Sequence, residues 1–304
     1  MLLFTHSIHY LHFNVLFNYG FRRCHNLEII KFIQTFENPF LDKVFYIFTT
    51  IGGPTIGLVL AIFLYWFYNK ELGNKFFYGI LFSCSINNII KGIYNEPRPI
   101  GTEGIKSYYV LDTATGSSFP SGHSQGTAST SMLLMTSFKN KWIYAFSIIM
   151  MIGVPLSRLY FGVHWPRDVI FGLVLGILSI LLSNKLFDIY SETNNFYIIL
   201  VPALIMLILS FIFPSNDLAK SIGPLIGFLC GLFLEKKYVN FKMSYKPSHV
   251  AFKFLIGCIG ALIIYIFFSK LFVPSLTITF FKYFFIVFYA TFVAPYIFVK
   301  VKIA

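Results

Sequence analysis

The sequence predicts an all-α, polytopic membrane helical bundle, and three observations carry that reading. Of 304 residues 57% are hydrophobic and only 12% charged, with a mean hydropathy of +0.72, far more apolar surface than one soluble core of this size can bury. Apolar stretches near the roughly 20 residues that cross a bilayer recur along the whole chain. Between them sit short loops that hold most of the lysines, as topology signals do. Soluble enzymes, nucleic-acid readers and disulfide scaffolds are thereby excluded. The net charge of +12 is expected to set orientation and not to bind nucleic acid.

Taken in order, residues 1–26 form an unassigned leader, with too many polar interruptions for a span and no small-residue cleavage site. His6, His9 and His12 could in principle hold a metal, but their spacing fans them around a helix. From Leu27, Ile29, Ile30, Ile33 and Phe36 alternate with Glu28, Lys31, Gln34 and Glu37, an amphipathic helix expected in the membrane interface and closed by Asn38-Pro39. Spans are then predicted at about 44–68, 76–94, 121–138, 142–161, 167–185, 196–213, 218–235, 250–271 and 276–298. This divides the chain into the leader, a membrane core over 27–186 of about five or six helices, and a C-terminal extension over 187–304 of about four. Gly172 and Gly176, and Gly223, Gly227 and Gly231, are spaced for close helix approach. The four cysteines, Cys24, Cys84, Cys230 and Cys258, have no spacing for a bridge or a zinc site.

Alternation gives an orientation. With the 95–120 loop outside, the inner loops collect Lys70, Lys75, Lys139, Lys141, Lys185, Lys236, Lys237, Lys242, Lys246, Lys300 and Lys302, against Lys106, Lys220 and Lys270 outside. The lysine, asparagine and isoleucine excess suggests a bacterial source, and so a bacterial plasma membrane.

Arginine is the informative residue. The chain uses lysine 19 times and arginine 5 times, yet Arg98, Arg158 and Arg167 stand at the outer ends of predicted helices, where a planar fork can grip phosphate oxygens as a point charge cannot. Three segments converge there. Lys91 and Arg98 bracket the end of the second span, which Pro97 and Pro99 terminate. Ser117-Ser118-Phe119-Pro120-Ser121-Gly122-His123 opens the third, so that Ser121 and Gly122 offer helix N-terminal N–H groups to an anion beside His123 as a proton donor. In Ser157-Arg158-…-His164-Trp165-Pro166-Arg167-Asp168, Pro166 starts a helix and sets Asp168 four residues after His164, where it can fix the ring tautomer and leave the other nitrogen to attack. Any one segment alone could be interfacial anchors and an N-cap. Together they supply a nucleophile, an acid and fixed positive charge for phosphoryl transfer. Glu96, Glu103 and Asp112 match no common metal site, so metal-independent chemistry without a cofactor is expected.

The ordered set Lys-x6-Arg-Pro, Pro-Ser-Gly-His and Ser-Arg-x5-His-x3-Asp resembles the signature of the type-2 phosphatidic acid phosphatase superfamily, membrane lipid phosphate phosphatases related to glucose-6-phosphatase and vanadium haloperoxidases. The resemblance covers about 27–186 and implies that His164 attacks phosphorus to form a phosphohistidine, that Asp168 orients it, and that His123 protonates the leaving oxygen and then activates water. It also implies that Lys91, Arg98, Ser121, Gly122 and Arg158 bind the phosphate oxygens. Arg167 matches no defining position and is left as a headgroup contact. The family core usually has six spans, where five are predicted from 44 to 185. A lipid monophosphate or diphosphate at the outer leaflet is the expected substrate, of the undecaprenyl diphosphate, phosphatidylglycerol phosphate or phosphatidic acid type. The rival readings are a phosphotransferase with an acceptor other than water, and an anion transporter, although a carrier should hold its polar groups near the midplane. Residues 187–304 carry no catalytic motif and are expected to add packing or a homo-oligomer surface, with a lipid gate or a second function as the alternatives.

Overall fold

A computed structural model describes residues 26–244 and 246–304. The leader histidines lie outside the described residues. Among those residues there are helices and no strands. A first helix, α1 (26–34), leads into α2 (Pro39–Ile51), whose N-cap Asn38 accepts from the N–H groups of Phe40 and Leu41; Asn38-Pro39 therefore starts a helix as well as stopping one. There follow α3 (Pro54–Phe63), α4 (Lys70–Tyr94), α5 (Gly122–Ser137), α6 (Lys141–Tyr160), α7 (Pro166–Thr193), α8 (Tyr197–Ile212), α9 (Asn216–Leu234), α10 (Pro247–Leu271), α11 (Leu276–Phe288) and α12 (Ala294–Lys300).

Six of these helices, or seven if a bent pair is one span, are long and apolar enough to cross a membrane, against the nine stretches expected. The differences have local causes. The stretch at 44–68 is α2 and α3, bent by 53° where Gly52-Gly53 and Pro54 interrupt the helix. The stretch at 196–213 is the 16-residue α8. The stretch at 121–138 is α5, also 16 residues, and it is polar because it is the inner helix. It packs against α3, α4, α6 and α7, and its Ser124, Gln125, Thr127, Ser129 and Ser131 are buried. Those groups pair with their neighbours, as backbone and polar groups in a bilayer must: Gln125 Nε2 donates to the Ser83 carbonyl at 2.8 Å and Asn87 Nδ2 to Gln125 Oε1 at 2.8 Å.

Caps fix where the helices stop. Asn69 caps α4 by accepting from Leu72 N–H, and Asn95 closes it in the left-handed region at φ 41°, a conformation asparagine tolerates. Ion pairs Lys70–Glu235 at 3.1 Å and Lys75–Asp188 at 2.6 Å tie the start of α4 to the ends of α9 and α7. The end of α4, the end of α6 and the starts of α5, α7 and α9 therefore gather at the opposite end of the bundle. Outward helix faces carry exposed Ile170, Phe171, Val174, Leu178, Phe254, Leu262 and Ile263, suited to lipid and not to water.

The C-terminal helices share a core with α4. Phe77 stacks on Phe228 of α9 with ring centroids 5.4 Å apart, and Ile222, Leu225 and Leu229 are buried in the same cluster. α9 meets α11 backbone to backbone: a Cβ at Gly223 or Gly227 would run into the carbonyl oxygens of Phe280 and Phe284. Gly227→Leu is expected to cost roughly 1–3 kcal/mol and to lower the thermal midpoint in detergent, while a leucine at the bilayer-facing Val174 leaves it unchanged.

Candidate active site

The loop from Asn95 to Pro120 is held by cations donating to its backbone carbonyls. Arg98 Nε donates to Gly116 O at 3.1 Å, Nη2 to Thr115 O at 2.7 Å and Ser117 O at 3.3 Å, and Nη1 to Val163 O at 2.9 Å. Lys91 Nζ reaches Ser117 O at 2.9 Å. Ser117 also accepts from Glu96 N–H at 2.9 Å, and Ser118 N–H donates to Glu96 O at 2.8 Å. Trp165 Nε1 donates to Pro97 O at 3.0 Å. These bonds pin α4's exit to the α6–α7 turn, where His164 sits.

His164 is almost fully buried, at 2% exposure, and its two ring nitrogens face different chemistry. Nε2 lies 3.0 Å from Arg98 Nη1. A guanidinium has no lone pair to offer, so Nε2 is the acceptor and the ring proton is on Nδ1. Nδ1 lies 3.5 Å from Asp168 Oδ2 and 3.5 Å from Ser118 Oγ. Asp168 Oδ2 accepts from Ser118 Oγ at 2.5 Å and from Trp165 N–H at 2.9 Å, so the carboxylate is locked in place behind the ring. Burial, and then the positive charges of Arg98, Arg158 and Lys91, hold the His164 imidazole well below its ordinary value, which keeps it neutral and its lone pair available at pH 7. Burial pushes the Arg98 guanidinium down to about 10, leaving it cationic there.

A cavity of about 480 Å³ opens in front of this assembly, lined at its head by Lys91, Arg98, Gly122, His123 and His164. His123, in the first turn of α5, faces it without a hydrogen bond to another described residue. The remaining residues singled out in the sequence lie behind that wall. Ser121 is fully buried as the N-cap of α5, accepting from Ser124 N–H, and its own N–H donates to Asp168 O at 3.0 Å. Arg158 is fully buried and donates to Thr49 Oγ1 at 2.7 Å and Thr113 Oγ1 at 3.3 Å. Thr113 lines the cavity and Arg158 does not, although Arg158 Nε is buried without a partner. Arg167 turns away to Glu96, at 2.8 Å, and lies 3.6 Å from Asp168 Oδ1. Among the described residues no three His, Cys, Asp or Glu side chains come together as metal ligands do.

Sequence reasoning did not single out Ser118, which bridges Asp168 and the His164 ring, nor Thr49 and Thr113, which seat Arg158. Ser118 was adjacent to the Pro-Ser-Gly-His run; the two threonines carried no local signal.

Comparison with known proteins identifies the family. Residues 71–190 match the PAP2 superfamily, and residues 219–304 match the transmembrane extension of PAP2 superfamily phosphatases. An undecaprenyl-diphosphatase of Sulfolobus acidocaldarius is 29% identical over 162 residues, 52% of this chain and 75% of that one. The glucose-6-phosphatase catalytic subunit 1 of Bos taurus is 24% identical over 215 residues, 62% of this chain and 58% of that one. The crystal structure of Aquifex aeolicus LpxE aligns with a TM-score of 0.45 at 27% identity, covering 52% of this chain and 94% of that one. The chain belongs to the PAP2 superfamily and carries the transmembrane extension of its phosphatases.

Proposed function

We propose that the protein is an integral membrane phosphatase that hydrolyses a lipid monophosphate or diphosphate through a phosphohistidine at His164, without a metal. The observation that carries this reading is the His164 ring, with one nitrogen backed by Asp168 and Ser118 and the other presented to a guanidinium inside a cavity that also holds Lys91 and His123. A phosphate entering between Arg98 and His164 takes over the Arg98 Nη1 donor and frees the Nε2 lone pair. Nε2 then attacks phosphorus, the bond from phosphorus to the leaving oxygen breaks, and His123 gives that oxygen its proton. Asp168 stabilises the positive charge that grows on the ring. In the second half, His123 takes a proton from water as the water attacks phosphorus, the N–P bond breaks, and inorganic phosphate leaves. Lys91 and Arg98 touch the phosphate oxygens directly, the Gly122 N–H does so at the helix N-terminus, and Arg158 adds positive charge from behind Thr113. Undecaprenyl diphosphate is favoured as the lipid by the relative of that activity, with phosphatidylglycerol phosphate and phosphatidic acid as alternatives. The lysine distribution between loops supports a site on the outer face of a bacterial plasma membrane.

Phosphate release by purified protein in detergent tests this, with chelator present, across the three lipids and a soluble phosphate ester. Chelator-resistant release from at least one lipid is expected. Release abolished by chelator, or found only when a non-water acceptor is added, contradicts it and points to metal chemistry or to a phosphotransferase.

The depressed His164 basicity gives a pH signature. Activity requires the neutral ring, so the acid limb of kcat/KM is expected below the ordinary imidazole value of about 6.5. Removing the adjacent charge in Arg98→Ala should move that limb upward. A limb that stays fixed would show that it does not report His164.

A further inference from the structure

The cavity in front of His164 does not end at the phosphate site. It continues along one face of α4, through Asn88, Cys84, Leu81 and Phe77 below Lys91, positions spaced three and four apart and therefore in line. Phe77 lies fourteen residues before Lys91, about 21 Å deeper along the helix axis at the α-helical rise. On one side the wall is α3, through Leu58, Val59 and Ile62; on the other it belongs to the extension, through Ser221 and Pro224 of α9 and Ile286 and Val287 of α11.

The lining changes character with depth. Lys91, Asn88, His123, Lys220 and Asp217 surround the head, while the deep part is bounded by Leu58, Ile62, Phe77, Leu81, Ile286 and Val287. α3 and α9 each pack on α4, and α9 packs on α11. Val59 of α3, which lines the slot below its head, is 56% exposed.

We infer that the C-terminal extension supplies one wall of a slot for the hydrocarbon chain of the phosphorylated substrate, and that α9 and α11 thereby select substrates by chain. The inference rests on the phosphatase reading of the head site. Its occupant is a single apolar chain covalently continuous with the phosphate, because the slot is continuous with the nucleophile and apolar where it is deep. A headgroup alone would fill only the upper end and leave the deep apolar walls without a partner. The extension thus acts in specificity, through the binding energy of a remote part of the substrate, as well as in packing.

The test compares butyl, dodecyl and octadecyl phosphate with the full chain in detergent. Wild type is expected to prefer the long chains, and Val287→Trp, which fills the slot from α11, to lower the octadecyl-to-butyl ratio of kcat/KM about tenfold or more. An unchanged ratio in an active Val287→Trp enzyme overturns the inference. Should that variant not fold, wild-type protein photolabelled with an alkyl phosphate carrying a diazirine at the chain terminus decides: label in α9 or α11 that octadecyl phosphate displaces and butyl phosphate does not is the expected result. Label elsewhere, or label displaced equally by a bilayer lipid without a phosphate monoester, overturns it. If wild type releases phosphate from none of the three, the phosphatase reading fails, and photolabelling still reports on the slot by itself.

Discussion

Replacing His164 with alanine is expected to lower turnover by about 10⁴-fold or more while the protein stays folded and membrane-inserted. The size of the effect follows from the ring's placement. His164 is the imidazole whose Nε2 is presented to the cavity beside Arg98, and Asp168 and Ser118 exist behind it to hold Nδ1. Among the described residues, the other imidazole lining the cavity, His123, has no carboxylate behind it. Folding should survive because the loop's anchors do not run through the ring: Arg98 keeps its bonds to Thr115, Gly116 and Val163, and Asp168 keeps those to Ser118 and Trp165 N–H. Phosphate release per folded molecule, with folding read by size-exclusion profile and thermal midpoint, checks both halves. Substantial release from the His164→Ala protein removes the covalent mechanism.

Arg98→Lys is expected to lower kcat/KM by about 10²- to 10³-fold, the next largest loss. The guanidinium simultaneously spans three loop carbonyls, Val163 O and His164 Nε2. An ammonium is a point donor on a flexible stem and cannot bridge those directions at once. The loop that carries Ser117 and Ser118 would then lose its tie to the α6–α7 turn, and the phosphate its planar partner. Arg167→Lys is the matched control: Arg167 is 38% exposed and pairs with Glu96, so the change should stay within a few-fold. Equal losses at Arg98 and Arg167 would show that bulk positive charge, and not the fork, is what the site uses.

The long helices were legible because bilayer length and apolar composition act locally. The stretches predicted at 142–161 and 276–298 correspond to Lys141–Tyr160 and Leu276–Lys300. α5 was legible as a helix but not as the inner one, since burial of Ser124, Gln125 and Ser129 depends on which neighbours surround them. The Gly52-Gly53-Pro54 break inside 44–68 was visible in the residues and outweighed by the apolar run on either side. Within the site, the four-residue step from His164 to Asp168 is a property of one helix start and could be read directly. That Ser118 sits on the same carboxylate, that Arg158 lies behind Thr113 and that α9 and α11 flank the cavity are contacts across 45 or more positions of chain, and no local spacing encodes them.

Trapping the phosphorylated enzyme tests the central claim most directly. The His123→Ala variant with para-nitrophenyl phosphate suits this, because the leaving phenolate needs no proton from His123 while the water step still does. Brief mixing, quenching at alkaline pH and peptide mass spectrometry are expected to find one phosphoryl group on His164, at amounts approaching the enzyme present. Phosphate on another residue, or no protein-bound phosphate while nitrophenolate is released, would contradict it.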